Sequence, residues 1–218
     1  GSWMSVPRFR LSHAASQSVR SGHPWVYREE PPRVPAGTVV DLMDGKGVRL
    51  GWGLADDGPI AVRVLGRGER IPVDRAVRER ITRADTFRRA WVDASTDAYR
   101  IVAGAGDGLD GLVVDRYADC AVLRVYAAAW EPHLDGIVAT VAGLPWCSTV
   151  YRRLGVERVD GRSGGETLAG PEVPDALVVS ENGMRMVVRP QVGQKTGLFL
   201  DQREHRALVR RWASGRTV

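Results

Sequence analysis

Short runs of apolar residues separated by glycine-rich turns dominate the first third of the chain and predict strands. TVVDLM (38–43) and VRLGWGL (48–54) flank a turn at 44–47 whose glycines allow positive φ, which is a strong β-hairpin signal. IAVRVL (60–65) alternates closely enough to be a third strand. Four prolines from Pro24 to Pro35 exclude a helix interior just upstream. The pattern predicts a small, separate β-barrel-like unit.

A helical period follows this segment. Val77, Ile81, Ala84 and Trp91 recur at helical spacing, and Asp74 is a suitable N-cap. Six arginines occupy the other faces of this helix. These arginines are either a solvated face or a surface that contacts a nucleic-acid backbone.

From Tyr99 onward the pattern becomes mixed. Strands are predicted at 99–103, 112–115, 120–126 and 148–154, with a helix over 131–144 that has Pro132 in its first turn. Asn182-Gly183 lies between two apolar runs and predicts a further hairpin. The stretch 161–175 is predicted to be a long flexible loop. This order of elements predicts an α+β middle domain.

The final helix is predicted to begin at Asp201 as its N-cap and to stop at Gly215. Leu208, Val209 and Trp212 form its apolar stripe. The last three residues read as the start of an extended segment, so we expect the chain to be the N-terminal part of a longer protein.

Composition and charge limit the classes of protein to which the chain can belong. Hydrophobic residues make up 44% of the 218 residues and charged residues 26%, as in soluble globular proteins. No apolar run approaches the roughly 20 residues of a bilayer span, and no export signal opens the chain, so we expect a cytoplasmic protein without a membrane partner. Lys plus Arg is 31 against 26 for Asp plus Glu, a net charge of +5. The many arginines suit a nucleic-acid partner, although a GC-rich coding bias explains the preference for Arg over Lys equally well.

Candidate catalytic chemistry is sparse. GAGDGLDG (104–111) resembles a dinucleotide fingerprint, but a strand rather than a helix follows it and Leu109 occupies a glycine position, so a tight structural loop is favoured. The four histidines and Cys120 and Cys147 show no metal-ligand spacing, so no metal is expected. No residue of this chain is predicted to be catalytic.

SGHPWVY (21–27) is the candidate RNA-binding segment. Its aromatic residues beside a basic β unit predict a surface for base stacking or backbone docking, formed by His23, Trp25, Tyr27 and Arg28. For Trp25, packing in the core of the β unit is an equally good interpretation.

An ordered set of motifs identifies a resemblance. GHPWVY, AGTVVDLMDGKGVRLGWGLAD, IAVRVLGRGE, DGLDGLVVDRYAD, ENG and GQKTGLFLDQR resemble, in that order, the PUA-domain-bearing class of SAM-dependent RNA methyltransferases. The best-known members of this class make 5-methylcytosine in large-subunit ribosomal RNA. The resemblance runs from about Arg10 to Val218, and GQKTGLFLDQR (193–203) is its most specific element.

The resemblance implies a domain layout. Residues 1–5 are a tag remnant and start, 6–73 a PUA-like RNA-binding domain, and 74–97 a connecting helix. Residues 98–200 are a strand-strand-helix-strand-strand middle domain, and 201–218 the first helix of a Rossmann-like methyltransferase domain whose remainder we expect to be missing. The glycine-rich SAM loop and the catalytic cysteine of the class would both follow Val218.

The resemblance also implies site residues. Phe199 would pack against S-adenosyl-L-methionine, while Gln202 and Arg203 would offer an amide and a cation to its polar groups. His205 stands where members of the class often have Asn. With one edge of the cofactor pocket present, we expect this chain to bind little or no cofactor and to be inactive by itself.

The sequence therefore supports three interpretations. The chain is the RNA-recognition and cofactor-edge portion of an rRNA cytosine carbon-5 methyltransferase, with ribosomal RNA as its partner. Alternatively, it is a free-standing, non-catalytic RNA-binding module. In a third interpretation, it is a fragment whose unpaired end pairs with a second copy as a homodimer.

Overall fold

A computed structural model describes residues 6–27, 34–154, 164–193 and 195–215. Contacts divide the chain into two compact units. Unit one comprises Gly1–Thr82, Ala103–Leu112 and Val125–Thr140, and unit two comprises Arg83–Val102, Val113–Arg124 and Val141–Val218. The domain bounds inferred from the sequence stay a prediction.

Unit one contains a five-stranded sheet. Its strands lie in the order β1-β3-β4-β5-β2. The strand bounds are β1 Arg8–Arg10, β2 Trp25–Tyr27, β3 Val39–Met43, β4 Arg49–Ala55 and β5 Ile60–Gly66. β1 pairs with β3 in parallel, and the other pairs are antiparallel. The predicted β3–β4 hairpin is confirmed, and the Asp44 carboxylate fixes its turn by accepting from the amides of Lys46 and Val48, each at 2.9 Å.

A short helix precedes β2. Helix α1, His13–Arg20, begins at Ser12, whose hydroxyl accepts from the amide of Ala15 at 3.2 Å, a standard N-cap bond. Neither β1 nor α1 was predicted from the sequence, because each is too short to show a clear period. Val19 of α1 is fully buried in a cluster of aliphatic side chains that also includes Val40 and Leu42 of β3. The core of unit one therefore lies between α1 and the sheet.

Helix α2, Val73–Trp91, confirms the predicted helix but corrects two of its details. The helix begins one residue before Asp74, which therefore lies in the first turn instead of capping it. Val77, Ile81 and Ala84 are buried as predicted, whereas Trp91 is 77% exposed. The predicted apolar stripe therefore ends before the last two turns.

The second sheet has five strands in the order β10-β9-β8-β7-β6. The strand bounds are β6 Ala98–Ala103, β7 Leu112–Tyr117, β8 Cys120–Val125, β9 Thr149–Arg153 and β10 Gly165–Ala169. β8 and β9 are parallel, and the crossover between them contains a 3-10 turn at Ala128–His133 and helix α3, Leu134–Ala142. The single predicted helix over 131–144 is thus two elements, with Pro132 in the 3-10 part, where its missing amide removes no α-helical bond.

The predicted long loop at 161–175 is wrong in part. Residues 161–163 lie outside the described residues, but Gly165–Ala169 form strand β10, which pairs antiparallel with β9. β11, Leu177–Glu181, and β12, Met184–Val188, form the predicted hairpin. Its turn residues Asn182 and Gly183 have φ of 50° and 73°, the left-handed geometry that this dipeptide favours.

The glycine-rich stretch 104–111 is structural, as predicted. It forms a 3-10 turn at Gly104–Asp107 that leads into strand β7, with no helix N-terminus for a phosphate. Its Asp110 forms an ion pair with Arg63, which also binds Asp56 at 2.7 Å. The backbone carbonyl of Asp110 accepts from the Trp130 indole at 2.7 Å. These bonds fix the loop within unit one.

The last helix is α4, Arg203–Ala213, which follows a 3-10 turn at Leu200–Gln202. Asp201 does not cap it, contrary to the prediction, because its carboxylate instead binds Lys195 at 3.0 Å. Gly215, with φ of 73°, follows the helix as predicted. In the described part of the chain, no helix is both long and apolar enough to cross a membrane.

Candidate functional site

An aromatic cavity lies between α1 and β2 in unit one. It has a volume of about 200 Å³, smaller than the roughly 300–1,000 Å³ of pockets for drug-sized ligands, and suits one planar ring. The α1 side is lined by small residues, and the opposite side by the segment that the sequence singled out. The lining residues are Ala14, Ala15, Ser18, His23, Trp25, Val26 and Tyr27.

Three predicted RNA-binding side chains lie together at the start of β2. Trp25 and Tyr27 belong to the strand, and His23 lies in the loop that precedes it. The ring centroids are 4.7 Å apart for His23–Trp25, 6.3 Å for His23–Tyr27 and 6.4 Å for Trp25–Tyr27. Tyr27 is 63% exposed, so its ring is available to a ligand. The fourth predicted residue, Arg28, lies outside the described residues.

Hydrogen bonds give this cluster a defined polarity. His23 Nδ1 lies 3.0 Å from the Trp25 carbonyl oxygen, which can only accept, so Nδ1 is the donor of this bond. In the tautomer with its single proton on Nδ1, Nε2 is an acceptor. The Trp25 side chain is half-buried, so it lies neither fully in the core nor fully in solvent. Its indole Nε1 is shielded from solvent and has no acceptor among the described residues. A buried donor without an acceptor destabilises the fold by about 1–3 kcal/mol, and a ligand atom that accepts from it would offset this loss.

Arg67 supports the loop between α1 and β2. Its Nε donates to the Val19 carbonyl at 2.8 Å, and its Nη2 lies 3.5 Å from the carbonyl of His23. Gly22 in this loop has φ of 104°, a conformation that favours glycine. A cation is therefore held beside the aromatic cluster, where it can attract an anionic ligand. The sequence did not single out Arg67, which lies 44 residues from His23.

The predicted cofactor edge lies in unit two, at the turn before α4. Phe199 is 38% exposed, and the Lys195 ammonium lies 4.5 Å from its ring centroid. Lys195 also holds the Asp201 carboxylate, and this bond lowers the pKa of Asp201 below its ordinary value. One face of the Phe199 ring is thus covered by a cation, and its exposed part can meet a ligand.

The other two predicted cofactor residues are close by but are engaged with their neighbours. The Gln202 side-chain oxygen accepts from His205 Nδ1 at 2.6 Å. Arg203 Nε lies 3.1 Å from the Glu204 carboxylate, which is exposed. Both contacts are at the surface, where they exchange readily with a ligand. The structure therefore places Phe199, Gln202 and Arg203 on one short segment.

A buried network fixes the turn that precedes this segment. Thr196 is buried and donates to the Asp115 carboxylate of β7, which is fully buried and bound by Arg100 at 2.8 and 3.1 Å. Because Thr196 gives its one proton to Asp115, the Tyr117 hydroxyl donates to Thr196 at 2.8 Å and accepts from the amide of Leu198 at 3.1 Å. Burial, with the Asp115 charge, raises the pKa of Tyr117 above its ordinary value.

An ion pair holds helix α4 on the β11–β12 hairpin. Arg206 binds the buried Glu181 carboxylate with two hydrogen bonds, at 2.7 and 2.6 Å, and its Nη2 donates to the Phe199 carbonyl at 2.9 Å. Arg210 donates to the Asn182 carbonyl at 2.8 Å. Sequence analysis missed these positioning residues. The sequence feature that could have revealed them is a carboxylate within an apolar strand, as at Asp115 and Glu181. A carboxylate buried in this way is usually paired with a cation.

The two cysteines are not candidates for nucleophilic chemistry. Burial raises the pKa of Cys120 to about 12 and that of Cys147 to about 11. Both thiols are therefore protonated near neutral pH, and a thiol is a poor nucleophile. Among the described residues, no group of His, Cys, Asp and Glu could hold a metal ion.

Comparison with known proteins adds the family context. Residues 9–67 match the family described as PUA-like domain, a stretch that contains the aromatic cavity. The chain is 37% identical over 232 aligned residues to a ribosomal RNA large subunit methyltransferase of Deinococcus radiodurans, with 98% of this chain and 57% of that protein covered. It is 33% identical to ribosomal RNA large subunit methyltransferase I of Klebsiella pneumoniae, with 97% and 56% covered.

Solved structures share the fold. One, described as a candidate SAM-dependent methyltransferase from Streptococcus mutans, aligns with a TM-score of 0.80 and 20% identity over 94% of this chain and 54% of that one. A second, a candidate methyltransferase complexed with SAH, also has a TM-score of 0.80, with 21% identity. The chain thus spans a little over half the length of the relatives that it matches, 57% and 56% for the first two.

Proposed function

We propose that this chain supplies the RNA-binding part and one cofactor-contacting edge of a SAM-dependent methyltransferase that acts on large-subunit ribosomal RNA. The aromatic cavity carries this proposal, because it lies within the segment that matches a PUA-like domain and joins three rings that the sequence predicts to bind RNA. Similarity to named ribosomal RNA methyltransferases over nearly the whole chain supports the substrate class.

The RNA-binding role follows from the chemistry of the cavity. The exposed Tyr27 ring offers a face on which an unpaired base can stack. His23 Nε2 accepts a hydrogen bond from an amino or imino group of that base, and Arg67 lies beside the loop to meet a phosphate. Cytosine carbon 5 is the methylation site that the family resemblance suggests.

The cofactor role rests on the 199–203 segment. The exposed part of Phe199 suits the adenine of SAM, and the Arg203 cation suits its carboxylate. Gln202 would exchange its bond to His205 for a polar group of the cofactor. SAM supplies the methyl group when it is bound. The three residues fit one edge of its site, so we expect weak binding by this chain.

A free-standing RNA-binding module is the second candidate. The bonds from Arg206 and Arg210 to the β11–β12 hairpin favour it, because they hold α4 on that hairpin within unit two. Leu208, Val209 and Trp212 favour the first candidate, because they are 41%, 56% and 62% exposed and such apolar surface is typical of an interface.

RNA binding is tested with two matched tyrosines. Tyr27 and Tyr126 are 63% and 61% exposed, and Tyr126 is not a lining residue of the cavity. Fluorescence anisotropy with transcripts of large-subunit ribosomal RNA should show about tenfold weaker binding for Tyr27→Ala, from the loss of one stacked base, and no change for Tyr126→Ala. Equal affinities for wild type and Tyr27→Ala would remove the cavity from the RNA-binding role.

The cofactor edge is tested by NMR titration of the chain with SAH. We expect shifts concentrated at Phe199, Gln202 and Arg203 without saturation at micromolar concentrations. Arg203→Ala should abolish them, and Arg211→Ala, an exposed arginine on the same helix, should leave them unchanged. Shifts that avoid the 199–203 segment would refute this part of the proposal.

A further inference from the structure

Two aromatic side chains in the last two turns of α2 are exposed, and one of them, Trp91, belongs to the predicted apolar stripe. Phe87 is 60% exposed and Trp91 77% exposed, and their ring centroids are 6.2 Å apart with planes inclined at 55°. Each ring leaves apolar area in water, which is unfavourable by about 25 cal/mol per Å². Two adjacent exposed rings therefore call for a ligand that covers them.

The charge around these rings is positive. Arg83 is exposed and precedes Phe87 by four residues and Trp91 by eight, so the three side chains lie along one face of the helix. None of the described residues hydrogen-bonds the Arg83 guanidinium. Its charge is therefore available to a ligand on this face.

The acid within the same two turns does not offset this charge. Asp85 is the one acidic residue between Thr82 and Val92. It is 1% exposed, and its two oxygens accept from Arg89 at 2.8 Å and from the Trp146 indole at 2.7 Å. The exposed acids at the two ends of this stretch are engaged elsewhere: Glu79, one turn before Arg83, binds Arg75 at 2.7 Å, and Asp93 accepts from the Ser95 amide at 2.8 Å. The exposed face thus combines two aromatic rings with an arginine that neither acid pairs with.

These features select an anionic ligand with flat apolar groups. We propose that Arg83, Phe87 and Trp91 form a second RNA-binding surface, which takes an unpaired strand by stacking bases on the two rings while Arg83 contacts a phosphate. A duplex is a poorer match, because it presents phosphates while its base faces are stacked inside. This inference rests on the proposed RNA-binding function and adds a surface in unit two that the cavity of unit one does not include.

Binding of a single-stranded oligouridine of about 12 nucleotides tests the surface. We expect Trp91→Ala and Phe87→Ala each to weaken its binding by about 5- to 100-fold, the range for one lost base stack. Trp91→Phe keeps a ring and should retain most of the affinity. Both native side chains are exposed, so thermal unfolding should be unchanged and a folding defect can be recognised separately.

Trp212→Ala is the matched control. Trp212 is also an exposed tryptophan next to an arginine on a helix, 62% exposed, so an equal loss in that variant would indicate nonspecific contact and overturn the assignment to α2. Unchanged binding in Trp91→Ala would also overturn it. If the wild-type chain binds no RNA at all, the proposed function fails as well. If Tyr27→Ala is the one variant that loses RNA binding, the proposed function stands and the second surface alone is rejected.

Sedimentation distinguishes RNA from a second copy of the chain as the molecule that covers Phe87 and Trp91. If the two rings instead bind a second copy of the chain, the wild type will self-associate with rising concentration and Trp91→Ala will not. That outcome would contradict an RNA surface. Photocrosslinking of an oligonucleotide containing 5-bromouridine should place the adduct on Phe87 or Trp91, and adducts confined to other peptides would contradict the proposal.

Discussion

Replacing Arg206 by Met should destabilise unit two by removing the cation that pairs with a buried carboxylate. Glu181 is 1% exposed, and the Arg206 side chain is 23% exposed, so the pair is largely shielded from water. The two hydrogen bonds to Glu181 raise the pKa of Arg206. Methionine keeps the aliphatic stem of the arginine, so the change isolates the loss of charge and hydrogen bonds.

The expected magnitude follows from the burial of Glu181. Breaking a buried ion pair costs about 3–5 kcal/mol, and partial exposure of Arg206 puts this pair near the lower end, about 3 kcal/mol. For a chain of this size about 1 kcal/mol corresponds to about 2–4 °C, so the thermal midpoint should fall by about 6–12 °C. The double variant with Glu181→Gln should recover part of the loss, because a neutral amide is less costly to bury unpaired than a carboxylate.

Differential scanning calorimetry measures this change, with hydrogen exchange to locate it. Exchange should accelerate in β11, β12 and α4 and stay unchanged in β3 to β5. Arg211→Met, at an exposed arginine on the same helix, should shift the midpoint by less than about 2 °C. A similarly small shift for Arg206→Met would mean that the ion pair with Glu181 does not hold the helix in place.

Three further predictions follow from the packing and the titrating groups. Gly197→Ala should lower the thermal midpoint and broaden the NMR signals of the 195–203 turn. The reason is that Gly197 has φ of 145° and that an added Cβ would lie 2.5 Å from Val188 Cγ1. Gly106→Ala is the control and should leave the midpoint nearly unchanged, because a Cβ there meets nothing within 4 Å. Iodoacetamide should alkylate Cys120 and Cys147 slowly in the native chain at pH 8 and rapidly in urea, as mass spectrometry would show; fast native labelling would contradict their raised pKa values of about 12 and 11. The free energy of unfolding should fall as pH rises from about 9 toward 12, because the unfolded thiols lose protons that the folded ones keep, and a flat profile would contradict this.

Local patterns predicted the longer elements well. The β3–β4 hairpin and the Asn182-Gly183 turn were correct because their glycines adopt positive φ, a property of the residue itself. Helix α1 and strand β1 were missed, because eight and three residues carry too little periodicity. Strand β10 was taken for a loop, since its pairing with β9 is a long-range contact that no local pattern encodes.

The candidate site was predicted as a list of residues but not as an arrangement. His23, Trp25 and Tyr27 were singled out as members of one short aromatic segment, and in the structure their ring centroids lie 4.7 to 6.4 Å apart. Asp201 was expected to cap a helix, whereas a tertiary bond to Lys195 takes its carboxylate. Arg206, the partner of Glu181, lies 25 residues away in sequence. The residues that position the cofactor edge could therefore be identified only from the structure.

The salt dependence of binding to large-subunit ribosomal RNA tests directly whether this chain recognises RNA through its phosphates. We expect the unmodified chain to bind such transcripts, with the logarithm of its association constant falling linearly with the logarithm of salt concentration, as phosphate contacts require. Failure to bind at low salt, or an affinity that does not change with salt, would contradict the claim that this chain is an RNA-binding part of a ribosomal RNA methyltransferase.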